Sequence, residues 1–358
     1  MKKSIGFLLL AGVLWVACGG QSQPSPKSVQ SSESENQIEQ SQQVEQSPQI
    51  ADYIRNIYQD KNGNFWFGTN SYGVAHYNGV SISYYSNDQG FSGRQITGIT
   101  EDTEKNIWFA TDQGVVKCEL VAKAKEGKRF INYSDFQYFG GQRFWSICAD
   151  SKGGVWAGAV TGIYRYDGVS WSQFELPYPE EITGQFITRA TSWSIIEDSA
   201  GDMWFSTNGF GAFKYDGKSF TQYSKADGLT DNDVDVIIED KQKQIWFGTR
   251  YGGVSRYDGK AFTNYTARNN KISNDEVCAL YEDSKGNIWM SSEGYGVYRY
   301  NPVVDTISNY SSEQGLGVRA VQTIFEDKEG RLWVGGGGGL YRLEGERFVN
   351  VRSHGPWE

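Results

Sequence analysis

Seven tryptophans, Trp66, Trp108, Trp156, Trp204, Trp246, Trp289 and Trp333, each follow an aspartate by six residues: Asp60, Asp102, Asp150, Asp198, Asp240, Asp283 and Asp327. The intervals between successive tryptophans are 42, 48, 48, 42, 43 and 44 residues, so most of the chain is one unit repeated. The text around each pair is nearly constant. Ile237-Ile238-Glu239-Asp240 leads to Ile245-Trp246-Phe247-Gly248-Thr249, then Gly252-Gly253-Val254, Arg256-Tyr257-Asp258-Gly259, Phe262 and Tyr265. Apolar runs of strand length between turn residues read as four short strands. One four-stranded antiparallel sheet cannot bury both its faces alone, and a period of about 40–50 residues with four strands is how propeller blades stack around an axis. The expected fold is all-β: a seven-bladed β-propeller with four antiparallel strands per blade over residues 50–352, followed by a C-terminal tail, 353–358.

Each recurring piece has a physical role. The aspartate opens a tight turn by accepting backbone N–H bonds. A glycine three residues later, at Gly63, Gly153, Gly201, Gly286 and Gly330, supplies the positive φ that such a turn needs. Lys105 and Lys243 replace it in two repeats, and those turns are expected to be strained. The Asn-Gly and Asp-Gly pairs at 78–79, 167–168, 216–217 and 258–259 predict hairpins with primed turns. The seven tryptophans are expected between blades as core wedges. The aspartates are expected to be structural, since a carboxylate and one glycine fall short of the six to eight oxygens that a calcium ion takes.

The N-terminus reads as an address. Met1-Lys2-Lys3 precedes an apolar run from Ile5 to Ala17, too short for a mature transmembrane helix, so residues 1–17 are read as a signal peptide. Val16-Ala17-Cys18-Gly19 resembles the bacterial lipobox, with Trp15 where leucine is usual; the resemblance implies lipidation of Cys18. Residues 18–49 lack aromatic residues and are rich in Gln, Ser and Glu, so they are read as a disordered tether. Gly19 in place of aspartate resembles lipoproteins passed on to the outer membrane, facing either the periplasm or the exterior. Cys118, Cys148 and Cys278 sit in strand-like apolar contexts without a CxxC spacing, and are read as small buried thiols.

Charge and composition exclude other classes. With 34 Lys+Arg against 43 Asp+Glu, a formal charge of −9, the chain would be repelled by a phosphate backbone, so no nucleic-acid partner is expected. It has only two histidines, His76 and His354, the first in a predicted strand and the second in the tail. No nucleophile elbow, His-x-x-x-His pair, P-loop or dinucleotide fingerprint occurs, and neither cofactor nor metal is expected.

The string Glu-Asp-x-x-Gly-x-Ile-Trp-Phe-Gly-Thr followed by Gly-Gly-Val-x-Arg-Tyr-Asp-Gly resembles the two-component-regulator propeller repeat. That family's repeats occur in extracytoplasmic sensor regions of hybrid histidine kinases and in free-standing envelope proteins, often in bacteria that forage on polysaccharides. No kinase segment follows the repeats in this sequence, so the resemblance implies recognition without phosphotransfer. A more distant similarity is to virginiamycin B lyase, whose chemistry depends on a histidine and on Mg²⁺-binding carboxylates; the two histidines of this chain do not suit that role.

Propellers bind ligands on the face made by the loops joining second to third strands and fourth strands to the next blade. Four of those loops carry an aromatic residue, Tyr72, Phe210, Tyr251 and Tyr295, either offered to a ligand or packed on the blade tops. Before the first strands lie Arg55, Arg94, Trp145, Trp193, Asp235, Arg319 and Gln322, and Arg250 precedes Tyr251. Converging arginine, aspartate and aromatic groups suit a polar ligand with apolar faces. Two insertions, Cys118 to Arg129 and Glu175 to Thr191, break the regularity, the second on the candidate binding face. The expected function is recognition of an oligosaccharide, peptide or envelope protein, with a lipid anchor in the membrane. The alternatives are a polysaccharide lyase or glycoside hydrolase using carboxylates such as Asp235 with Glu293 or Asp275, and a structural subunit of an envelope assembly.

Overall fold

The computed structural model describes residues 48–119, 129–133, 139, 142–178 and 191–357. The segment read as a signal peptide, Cys18, nearly all of the expected tether, and the middles of both insertions lie outside the described residues. Seven four-stranded antiparallel sheets follow one another, each ordered first to fourth strand as in the sequence. The first strands, Ile54–Gln59, Ile96–Glu101, Phe144–Ala149, Ile195–Glu197, Val234–Glu239, Leu280–Glu282 and Val321–Glu326, touch one another in a closed circle in which the last meets the first. They surround the axis of a seven-bladed propeller.

The core lies between blades. Second strands such as Phe65–Thr69 and Ile245–Thr249 are buried at every position, because both their faces meet a neighbouring sheet. Trp66 packs on Ile96, Ile107 and Phe109 of the following blade, and Trp333 packs on Ile54, Phe65 and Phe67 of the first. The repeated aspartate fixes each of these rings. In all seven blades one carboxylate oxygen accepts the indole N–H of the tryptophan six residues on, at 2.7–3.0 Å. The other oxygen accepts backbone N–H groups two and four residues on, as Asp240 does from Gln242 and Gln244. One buried carboxylate thus satisfies three donors that would otherwise be stranded.

The outer face of each ring carries a cation. Lys117, Arg165, Lys214, Arg256, Arg299 and Arg342 pair across the sheet with the tryptophan of their blade and lie over its ring at 5.1–5.7 Å. The first blade has His76 at this position, and Arg129 of the second blade supplies the cation over Trp66 instead. A further clamp joins neighbouring blades. The glutamate ending a first strand accepts the N–H of the residue after the previous blade's aspartate: Glu101 from Lys61, Glu197 from Ser151, Glu239 from Ser199, Glu282 from Lys241, Glu326 from Ser284. Gln59 does the same for Lys328, closing the circle, while Ala149 leaves the second-to-third interface without it.

The turn after each aspartate forms as expected. The five glycines have φ from 79° to 90°, and Lys105 and Lys243 are held in the same left-handed region at 68° and 65°. The second hairpin differs from expectation. Asn78 keeps a negative φ and only Gly79 is positive, so the Asn-Gly pair is not the centre of a type I′ turn. The Asn78 carboxamide instead accepts the N–H groups of Val80 and Ser81, and Asp167, Asp216 and Asp258 repeat the arrangement.

The packed body extends past both expected ends. Gln49 bridges Arg352, Tyr53 bridges Gly337, and Asp52 accepts from the Gly338 N–H. The run Gly335–Gly339 makes room for this crossing: a Cβ on Gly339 would meet the Gln49 carboxamide, and one on Gly337 the Tyr53 ring. At the other end the tail folds back and stacks Trp357 on Tyr77, with ring centroids 4.1 Å apart.

Candidate functional site

The site is made by a fault in strand pairing. In five blades the ladder between first and second strand skips one residue, and the skipped residues are Arg55, Thr97, Trp145, Asp235 and Gln322. A bulge of this kind turns its side chain out of the sheet. In the other two blades the pairing starts later, and a serine hydroxyl replaces it. Ser206 Oγ accepts the N–H groups of Trp193 and Ser194, and Ser291 Oγ those of Cys278 and Ala279. All seven residues, Arg55, Thr97, Trp145, Trp193, Asp235, Cys278 and Gln322, line one cavity of about 430 Å³ at the mouth of the channel.

These seven lie five residues before the seven repeat aspartates. The position is chemically different in nearly every blade, in a repeat whose other positions are nearly constant. A fold needs a constant residue for a constant contact, and nothing in the blade dictates this one. Sequence reasoning named Arg55, Trp145, Trp193, Asp235 and Gln322, and missed Thr97 and the role of Cys278. The offset from the aspartate is the signal that would have found both.

Two features organise the mouth. Trp145 and Trp193 lie against each other with centroids 4.4 Å apart and planes tilted by 42°. The Arg143 guanidinium lies over the first ring at 5.1 Å and that of Arg250 over the second at 4.9 Å. Arg250 also holds Asp235 by two bonds, of 2.9 and 3.2 Å. Burial raises the Asp235 carboxyl above the usual carboxylate range, against the pull of Arg250. Burial works against the Arg250 cation too, but the carboxylate outweighs it and the guanidinium pKa is raised. Burial, with Asp235 next, pushes the Cys278 thiol up to about 12, so it stays protonated. Around this pair the mouth is acidic, with Asp233, Glu276 and Glu293 nearby.

The opposite side is cationic. Arg55 donates from Nε to Asn70 Oδ1 at 2.7 Å and from Nη1 to Gln322 Oε1 at 3.4 Å, and its guanidinium lies over Tyr53. Both acceptors are neutral amides. Burial lowers the Arg55 pKa, Tyr53 opposes it and the neighbouring charge of Arg143 adds to it, and no carboxylate is among these groups.

The remaining expected residues do not reach this cavity. Tyr251 and Tyr295 are exposed at loop tips, the former 67% exposed, and neither lines the cavity. Phe210 is not presented as a free ring: it is half-buried against Tyr178 at 5.1 Å, within the core between the third and fourth blades. Tyr72 and Arg94 line a separate cleft of about 700 Å³ with Pro48–Asp52 and Ser86–Gln89. Arg319 is exposed and tied by its backbone N–H to Gly337. Asp275 is turned away to accept the Ala267 N–H at 2.6 Å. Among the described residues, no group of three or more His, Cys, Asp or Glu is placed to hold a metal ion, and no helix is long and apolar enough to cross a membrane.

The two component regulator propeller family model matches residues 48–71, 188–209, 228–251, 271–294 and 315–338. The last four of those segments span the cavity residues Trp193, Asp235, Cys278 and Gln322, and the first spans Arg55. Five stretches of the chain thus match the two component regulator propeller repeat. No curated relative matches it. Among solved structures it is similar to the extracellular domain of BT4673 from B. thetaiotaomicron, assigned to one component systems, with 21% identity and a TM-score of 0.61. That match covers 84% of this chain and 42% of the other, so the chain spans less than half of that structure. A catalytically inactive virginiamycin B lyase from Staphylococcus aureus, solved with quinupristin, matches at 15% identity and a TM-score of 0.63, over 82% of this chain and 95% of that one. PorZ, a surface component of the type-IX secretion system of Porphyromonas gingivalis, matches at 15% and 0.60, over 81% and 46%. At these identities the likeness is one of fold.

Proposed function

We propose that this chain is a recognition propeller of the bacterial envelope that holds an oligosaccharide at the mouth of its channel without chemistry of its own. The Trp145–Trp193 pair, set beside the Arg250–Asp235 ion pair in one cavity, carries the reading. Indole faces take the apolar faces of sugar rings, and a fixed guanidinium–carboxylate pair offers donors and acceptors to hydroxyls. Asp235 is committed to Arg250 and Asp275 to the Ala267 N–H, which speaks against that pair as the carboxylates of a lyase or hydrolase and leaves Glu293, whose carboxyl pKa is raised by burial, as the remaining candidate for that alternative. The signal peptide, Cys18 and the tether support a lipid-anchored, envelope-facing position, as do the surface and extracellular descriptions of PorZ and BT4673.

A thermal-shift screen of the full chain against neutral and charged oligosaccharides tests the reading, since a ligand at a hundred times its Kd adds about 2.7 kcal/mol. A shift lost in Trp193→Ala but kept in Tyr251→Ala supports binding at the mouth. Release of shortened sugars would replace recognition by turnover. Silence across the panel would send the search to protein partners recovered from membranes.

A further inference from the structure

We infer that the sugar read at this mouth carries a carboxylate, a uronate, and that Arg55 is the residue that reads it. The inference rests on the oligosaccharide reading above and adds the ligand's charge. Three arginines border the mouth, and they differ in what compensates them. Arg250 has Asp235. Arg143 lies over Trp145, and Arg55, set over the Tyr53 ring, donates only to the side-chain amides of Asn70 and Gln322 among the described contacts. Those amides aim the guanidinium without neutralising it, and its second terminal nitrogen, Nη2, has no acceptor among the described contacts.

A half-buried cation beside a second cation is costly unless an anion arrives. The folded chain supplies acid elsewhere at the mouth, with Asp235 in the lining and Asp233 and Glu276 beside it, yet gives Arg55 no carboxylate partner among the described contacts. The mouth therefore has a cationic side on the first and third blades and an acidic side on the fifth and sixth. A pyranose carrying an equatorial carboxylate holds that group near the plane of its ring. Held in the cavity beside Trp145, it would turn the carboxylate toward the rim where Arg143 and Arg55 stand. The net charge of −9 opposes an acidic ligand at a distance, but charges beyond about 10 Å are screened at ordinary ionic strength, and contact with Arg55 is not.

The test compares a galacturonate trisaccharide, the matching neutral galactose trisaccharide and a sulfated neutral trisaccharide, each titrated calorimetrically into the full chain, its Arg55→Gln variant and its Trp145→Ala variant. The expected result is binding of the uronate that weakens at least about tenfold in Arg55→Gln and falls with added salt, with the neutral sugar weaker on the wild type and unchanged in that variant. Unchanged melting temperature of Arg55→Gln confirms that it folds. Equal binding of neutral and uronate sugars, with no loss in Arg55→Gln, would overturn the carboxylate and leave oligosaccharide recognition standing. Preference for the sulfated sugar would overturn the uronate in favour of another anion. If none of the three sugars binds the wild type, both readings fall together; uronate binding that survives unchanged in Trp145→Ala would move the site away from this mouth and overturn the role of Arg55.

Discussion

The carboxylate of each repeat aspartate does three tasks at once, which is why no blade of this chain dispenses with it. In Asp240→Ala the Trp246 indole N–H and two backbone N–H groups lose their acceptor inside a buried turn. Each stranded donor costs about 1–3 kcal/mol, so the variant is expected to lose at least about 3 kcal/mol in denaturant unfolding. Asp258→Ala, which removes a similar count of bonds from an exposed hairpin, is expected to lose far less. If the two variants unfold alike, burial is not what gives the repeat aspartate its weight. His76 offers a second measurement. Burial, and then the charge of Arg129, lower its pKa from 6.5 to about 4, so the folded state keeps it neutral while the unfolded chain takes up a proton. Its contribution is full above about pH 6.5 and is lost as the pH falls toward about 4. That loss is of the order of 2 kcal/mol once solvent screening is allowed for. Unfolding midpoints at pH 8, 6 and 5 should therefore fall more steeply for the wild type than for His76→Gln; parallel curves would mean that His76 protonates freely in the fold.

Strands and turns were legible wherever the chemistry is local. The aspartate turn, its glycine and even the strained Lys105 and Lys243 follow from which residues tolerate a left-handed backbone. The interblade clamp was not read in advance, because a glutamate at the end of a strand gives no sign that its partner lies some forty residues away. Glu239→Ala is expected to weaken the fold by about 1–2 kcal/mol and Glu239→Gln by much less, since Gln59 makes the same bond at the last interface. An equal loss in both would assign the effect to charge and not to the bond. The binding mouth was half legible for a related reason. A bulge is a property of pairing and not of composition, so Arg55 and Asp235 stand out near the channel by their charge, whereas Thr97 and Cys278 look like any other strand residues until their offset from the aspartate is counted. Phe210 takes the second of the two places its loop allows: Tyr178, brought over by the irregular third repeat, covers it.

A ring of seven blades made from one chain has one seam where the first blade meets the last, and among the described residues no strand crosses it to complete a sheet, since each blade takes all its strands from one stretch of sequence. Besides the bridges of Gln49 and Tyr53 to the last blade and the Gln59–Lys328 bond, the seam is held by packing. In the sixth blade Tyr310 pairs with Val297 at the end of the outer strand and lies 5.2 Å from Trp289; the residue in the same register of the last blade is Val351, paired with Leu340. A valine leaves the Trp333 side of the seam short of an aromatic ring. Trp357 supplies it, stacked on Tyr77 of the first blade, 6.2 Å from Trp333, its carbonyl accepting from Arg331 Nη1. Trp357→Ala is accordingly expected to cost about 2–3 kcal/mol, less than a fully buried tryptophan because the ring is partly open to solvent, and Trp357→Phe about half of that. The loss should also be localised. Amide exchange in the first and seventh blades should speed up while the fourth, across the ring, keeps its protection. Uniform acceleration around the ring would show that the blades open together and that the tail is not what closes the seam.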